Sequence, residues 1–269
     1  MKAWERNKHK SAIDTTPETP YHYSMPPEFQ EKPDLFAINA DVVRLYKKYF
    51  VYLLFFGLLL FSPSLFMPEQ VNQKPSLTEL ITTIKLTLTF VIISSLVSTV
   101  ASAIFLLFID QNEQGKITTL GTALKQALPR TPLIFITGIL VGLIAMLGFF
   151  LFVIPGIIWG LMFSQATLFV LFKNQKIRQS LSSSKQLTKG HRWLIFRTEA
   201  QIILFGLLFG LLFLGIGAAF SVMLNSDTGR VFNAVLSSAS SIFLWHPLAI
   251  ILPYAIWRAL TTANSPQNS

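Results

Sequence analysis

The chain has 269 residues; 52% are hydrophobic and only 13% are charged, about half the charged share of a typical soluble domain. Its formal net charge is +9 and it has no cysteine, which excludes a disulfide framework, a thiolate nucleophile and a Cys-ligated metal. The apolar residues are clumped into long runs, as in membrane spans. The basic surplus then reads as cytoplasmic flanks of such spans, and no nucleic-acid partner is expected.

Residues 1–35 carry five prolines (Pro17, Pro20, Pro26, Pro27, Pro33), scattered charges and few aliphatics. Such a segment buries too little apolar surface to offset its ordering entropy and is expected to be a disordered cytoplasmic tail, available to a soluble protein partner. No apolar run follows the early lysines, so a secretory signal is not expected.

Residues 36–260 read as one membrane domain of six spans, at about 49–67, 86–109, 132–153, 155–172, 195–224 and 232–257, and 261–269 as a second disordered tail. The fold class is all-α: a polytopic membrane protein with six transmembrane helices and amphipathic interfacial helices on the cytoplasmic side. Pro132–Phe172 would make roughly 60 Å of helix, twice the ~30 Å hydrocarbon core, so it is expected to cross twice. The "VIPG" at Val153–Gly156 supplies the break, since Pro155 cannot donate to a helix ladder and Gly156 permits a sharp turn. Leu133–Val153 holds 15 Leu, Ile, Val or Phe residues and no charge; at about −0.3 to −0.6 kcal/mol each they favour insertion by roughly 5 to 9 kcal/mol.

With the N-terminus inside, the inner flanks hold fourteen lysines and arginines, among them Arg44, Lys48 and Arg258, while the outer loops hold only Lys74, Lys85 and Arg230. This asymmetry sets the orientation, with both termini cytoplasmic. The stretch Asn174–Trp193 is basic, serine-rich and free of carboxylates. Ile177, Leu181, Ser184 and Leu187 recur at helical spacing and Gly190 stops the helix. An amphipathic helix along the headgroups is expected, with Lys176, Arg178, Lys185, Lys189 and Arg192 facing anionic lipid; an ordinary solvated loop is the plainer alternative. Similar faces are formed by Ile117, Leu120, Leu124, Ala127 and Leu128, and by Phe36, Ala40, Val43 and Tyr46. Three repeats of interfacial helix plus two-span hairpin would account for all of them.

Lipid tails give helices no hydrophobic reason to associate, so small residues are expected at the contacts. The candidates are Gly138/Gly142, Gly156/Gly160, Gly206/Gly210, the stripe Ser94/Ser98/Ser102 and the pair Ser237/Ser241. A polar path lined by the serines is the other reading.

No Asp or Glu lies between Glu113 and Glu199, and the remaining acids are expected in the tail or in loops, with none buried. The four histidines show no metal-ligand spacing, and no nucleophile elbow, P-loop or dinucleotide pattern occurs. No cofactor is expected. His246 is the one ionisable residue near mid-span, which marks it as an intramembrane polar site by default. It reads as a relay or catalytic group, or more simply as a hydrogen-bonded kink residue beside Pro247. Gln165 and Gln201 are expected to bond between helices, and Arg197 to pair locally with Glu199.

Leu147–Phe196, "LGFFLFVIPGIIWGLMFSQATLFVLFKNQKIRQSLSSSKQLTKGHRWLIF", resembles the hallmark of the YciC-like inner-membrane protein family. It is also similar to the related membrane domain attached to some glycerophosphodiester phosphodiesterases. In both, a span ends in a Pro-Gly step, here Pro155-Gly156. A further span is followed by a segment matched here by Leu181, Ser184, Leu187, Lys189, Gly190 and Trp193. Ser180 replaces the family's usual alanine, and the acidic residue common after the preceding span is missing near Lys173 and Asn174. The similarity covers roughly Gly115–Phe213. It implies a six-span bacterial inner-membrane protein of unassigned activity; the phosphodiesterase name belongs to a separate soluble domain and does not carry over. The expected function is a non-enzymatic membrane scaffold, lipid-environment component or accessory subunit touching anionic headgroups. A transporter or lipid-handling permease is the alternative, and an intramembrane enzyme centred on His246 the third.

Overall fold

The computed structural model describes residues 33–61, 76–223, 235–236, 238–239 and 241–263. Among them the chain is helical throughout, with no strand. Chain order gives α1 (Leu35–Lys48), α2 (Phe50–Phe61), α3 (Leu77–Glu113), α4 (Leu120–Ala127), α5 (Thr131–Leu151), α6 (Val153–Phe163), α7 (Ala166–Lys173), α8 (Ile177–Leu187), α9 (Arg192–Met223) and α10 (His246–Ala263). A single 3-10 turn (Leu128–Arg130) joins α4 to α5, and a π turn (Ser241–Trp245) leads into α10.

Five of these helical stretches are long and apolar enough to cross a membrane: Leu77–Glu113, Leu120–Leu151, Val153–Lys173, Arg192–Phe220 and Ile242–Ala263. The expected first span is represented by α2 alone, 12 residues or about 18 Å; residues 62–75 lie outside the described residues, as do 1–32 and 224–234. Several boundaries shift; the second span, expected at about 86–109, lies within α3 from Leu77 to Glu113, which places Lys85 on the helix and not in an outer loop. α1 starts at Leu35, capped by the Asp34 carboxylate, which accepts from Ala37 N–H at 2.7 Å. At the other end α10 runs to Ala263, so 261–263 are helix and not tail.

The "VIPG" break is real, but its mechanism differs from expectation. Phe152 takes the extended backbone that separates α5 from α6, and Pro155 sits in the first turn of α6, where its missing N–H costs nothing. Gly156 serves close approach. A Cβ on Gly148 would lie 2.7 Å from Gly156 Cα, and one on Gly156 would lie 2.7 Å from Phe149 N. The two helices therefore double back with backbones nearly touching. The other predicted glycine pairs are half used. Gly206 leaves room for the Trp245 ring, whereas Gly142 and Gly210 face open space.

α10 is the central helix, buried nearly continuously from Ile250 to Leu260. Phe169 and Phe172 of α7 pack on its Trp257, with ring centroids 4.5 and 5.6 Å apart. Between α2 and α3, Tyr52 meets Phe108 and Phe56 meets Phe105 at 4.9 and 4.7 Å. The outer surfaces of α3, α5 and α9 expose runs of Leu, Ile and Phe, as helices in lipid do.

Candidate functional site

One end of the bundle gathers α1, the end of α3, α4, the end of α7, α8, the start of α9 and the end of α10. Its centre is ionic. Asp41 of α1 and Arg258 of α10 are 0% and 4% exposed. Arg258 Nη1 lies 3.4 Å from the Asp41 carboxylate and donates to Glu113 Oε2 at 3.1 Å. Arg44 Nη2 donates to both acids at 2.7 Å, while Lys48 Nζ and Tyr49 Oη donate to Glu113 Oε1 at 2.6 and 3.0 Å. Burial opposes the charge on Arg44, but its hydrogen bonds to Glu113 and Asp41 outweigh that and hold its pKa above the ordinary guanidinium value. Beside this cluster the Tyr254 hydroxyl and the Gln114 amide donate to the two Asp110 oxygens at 3.1 and 2.7 Å.

This cluster overturns one expectation. Buried acids do exist: Asp41 is buried, the Glu113 side chain is 4% exposed and their neighbour Asp110 is half-buried, all at the bundle end and not in tail or loop. Arg44, Lys48 and Arg258, three of the inner-flank cations, pair with Asp41 and Glu113. In α1, Ile38, Asp41, Val42 and Leu45 are buried, while Phe36 and Val43 of the predicted interfacial face stand exposed.

The basic helix α8 forms where expected. Its apolar face packs on protein, against α6 and α7, instead of lying free along headgroups. Ser184 and Leu187 are buried, and Ile177 and Leu181 half-buried. The bundle breaks between α6 and α7, which leaves carbonyls at the end of α6 without helical donors. The Ser184 and Thr188 hydroxyls donate to one of them, Met162 O, at 2.9 and 3.3 Å. That gives the Ser-x-x-Leu-x-Lys-Gly stretch a structural reason: it fastens α8 to a helix break, then turns at Gly190 (φ +87°) into α9.

The turn brings three of the five predicted lipid-contact residues together. Lys185, Lys189 and Arg192, with Trp193, Ser182 and Gln186, wall a shallow cavity of about 570 Å³. Lys176, the N-cap, and Arg178 lie exposed at the other end of α8. None of the five has a carboxylate partner among the described residues.

The predicted serine stripe divides. Ser98 and Ser102, with Ser95 and Thr99, line a cleft of about 540 Å³ between α3, α5 and α7; Ser94 Oγ is buried without a partner. The Ser95 and Thr99 hydroxyls bond back to carbonyls of their own helix. His246 is half-buried at the start of α10, directly after the π turn. Ser237, and the side chain of Ser241, lie outside the described residues. Gln201 accepts from Asn39 of α1 at 3.1 Å, an interhelical bond as expected. Gln165, 1% exposed, bonds only to its neighbour Ser164 at 3.3 Å, which is local and not interhelical. No ion pair joins Arg197 to Glu199 among the described residues. Nor does any group of three His, Cys, Asp or Glu among them sit as a metal site would.

Among the described residues, fold and site thus define an all-helical protein with five helices long and apolar enough to cross a membrane and a strongly charged end. No protein-family model, curated protein or solved structure matches the chain.

Proposed function

We propose that the chain is a six-span protein of the bacterial inner membrane and acts as a non-enzymatic scaffold, lipid-environment component or accessory subunit. The first crossing begins with α2, both termini are cytoplasmic, and the exposed faces of α1, α4 and α8 lie at the headgroups. The resemblance of Leu147–Phe196 to the YciC-like family supports this reading, and so does the meeting of α1 with the end of α10, since an even number of crossings returns the chain to its starting side.

One observation carries the functional part. Asp41 and Glu113 are paired internally with Arg44, Lys48 and Arg258, whereas Lys176, Arg178, Lys185, Lys189 and Arg192 have no carboxylate partner among the described residues. An uncompensated cationic rim attracts anionic headgroups by about 1 kcal/mol per near-surface cation. The test is to extract the protein with its surrounding lipid in copolymer discs and compare the lipid with the bulk membrane. Enrichment in anionic lipid supports the reading; a bulk composition contradicts it.

A second reading, a transporter or lipid-handling permease, is favoured by the Ser98/Ser102 cleft between α3, α5 and α7. Solute or lipid flux in proteoliposomes that Ser98→Leu abolishes would establish it over the scaffold.

A further inference from the structure

The corner between α8 and α9 carries three separate electrostatic costs. Lys185, Lys189 and Arg192 converge on one cavity, with no carboxylate among the described residues that line it. Arg192 Nε is buried and has no hydrogen-bond partner. Lastly, Arg192 occupies the first turn of α9, where the helix dipole disfavours a cation. Lysines at the end of α8 are what that helix's own dipole favours, so they alone would need no ligand. An arginine at the positive end of the next helix, turned toward those lysines, is different. A single anion in this cavity offsets the mutual repulsion of the three cations and the unfavourable end of the α9 dipole.

We infer that this corner holds one phosphate per chain, and that the phosphate belongs to an anionic lipid headgroup. The membrane source follows from Trp193, which is 68% exposed, stacks on Phe196 with centroids 5.4 Å apart, and stands where the apolar run of α9 begins. An exposed Trp at a span end belongs at headgroup depth. The corner is also preformed, since Ser184 and Thr188 tie it to the Met162 carbonyl. The inference rests on the proposed cationic inner rim, but asks for a discrete site within it.

Native mass spectrometry of the full chain in detergent, titrated with dioleoylphosphatidylglycerol, reads the site directly. One lipid is retained saturably, and dioleoylphosphatidylcholine is not. The triple variant Lys185→Gln/Lys189→Gln/Arg192→Gln weakens retention by about a hundredfold or more, at about tenfold per charge-assisted contact. A reference triple, Lys125→Gln/Lys176→Gln/Arg178→Gln, removes equal charge elsewhere and leaves retention within about threefold at about 0.15 M salt, where distant charges are screened. Should the first triple fail to fold, Lys189→Gln alone, at an exposed position, weakens retention by about tenfold. Equal losses in both triples would overturn the discrete site while leaving the cationic rim standing; no retention of anionic lipid by the parent chain would remove both. Displacement of the lipid by millimolar inorganic phosphate would show that the ligand is soluble phosphate and overturn the lipid assignment.

Discussion

The Tyr46 hydroxyl donates a 2.6 Å hydrogen bond to the Phe243 carbonyl, the acceptor that the N–H of residue 247 would take in an unbroken α-helix. Residue 247 is proline and has no N–H to give. The Phe243 carbonyl lies in the π turn that precedes α10, and α1 supplies a donor to it from nearly two hundred residues away in sequence. That π turn interrupts the helix just before His246-Pro247, and the tyrosine donates to a carbonyl within it.

Tyr46→Phe should therefore lower stability by about 1 kcal/mol, or up to about 3 if the carbonyl finds no water. Pro247→Ala restores the helical donor, so in its background Tyr46→Phe should cost distinctly less. Reversible unfolding by SDS in mixed micelles, run as a double-mutant cycle, measures the coupling. A zero coupling would mean that the bond contributes nothing.

Arg258→Met should cost about 3–5 kcal/mol, because it strips a buried partner from two buried acids. Lys48→Met, whose side chain is half exposed, should cost about 1 kcal/mol or less. The same unfolding assay separates them. Equal effects would show that the cluster is solvated instead of enclosed.

Gly156→Ala and Gly206→Ala should each destabilise by about 1–3 kcal/mol, since the new methyl meets the Phe149 backbone in one case and the Trp245 ring in the other. Gly142→Ala and Gly210→Ala face open space and should be neutral or stabilising by up to about 1 kcal/mol. Sequence spacing alone treats these positions alike, so the split tests the packing itself.

Much of the fold was legible because its signals are local. Apolar run length gave the five long helices, the Pro-Gly step gave the α5–α6 reversal, and the Ile177/Leu181/Ser184/Leu187 spacing with Gly190 gave α8 and its end. The ionic cluster was not legible, because Asp41 and Arg258 are 217 positions apart and Glu113 and Arg258 are 145 apart. One clue was present: Asp41 falls on the Ile38/Val42/Leu45 stripe of α1, and an acid within an apolar face requires a buried cation. Lys176, Arg178, Lys185, Lys189 and Arg192 are alike in charge and close in sequence. Only the left-handed turn at Gly190, which folds Arg192 back toward Lys185 and Lys189, divides them into a cavity and a rim.

The account stands on α8, with its basic corner, lying on the side where the chain was synthesised. Since the chain has no cysteine, single variants Lys74→Cys, Ser182→Cys and Thr228→Cys can be probed in intact cells with a membrane-impermeant maleimide. Labelling at 74 and 228 from outside, and at 182 only after permeabilisation, is the predicted result. Labelling of Ser182→Cys from outside, or recovery of the chain in the soluble fraction, would contradict it.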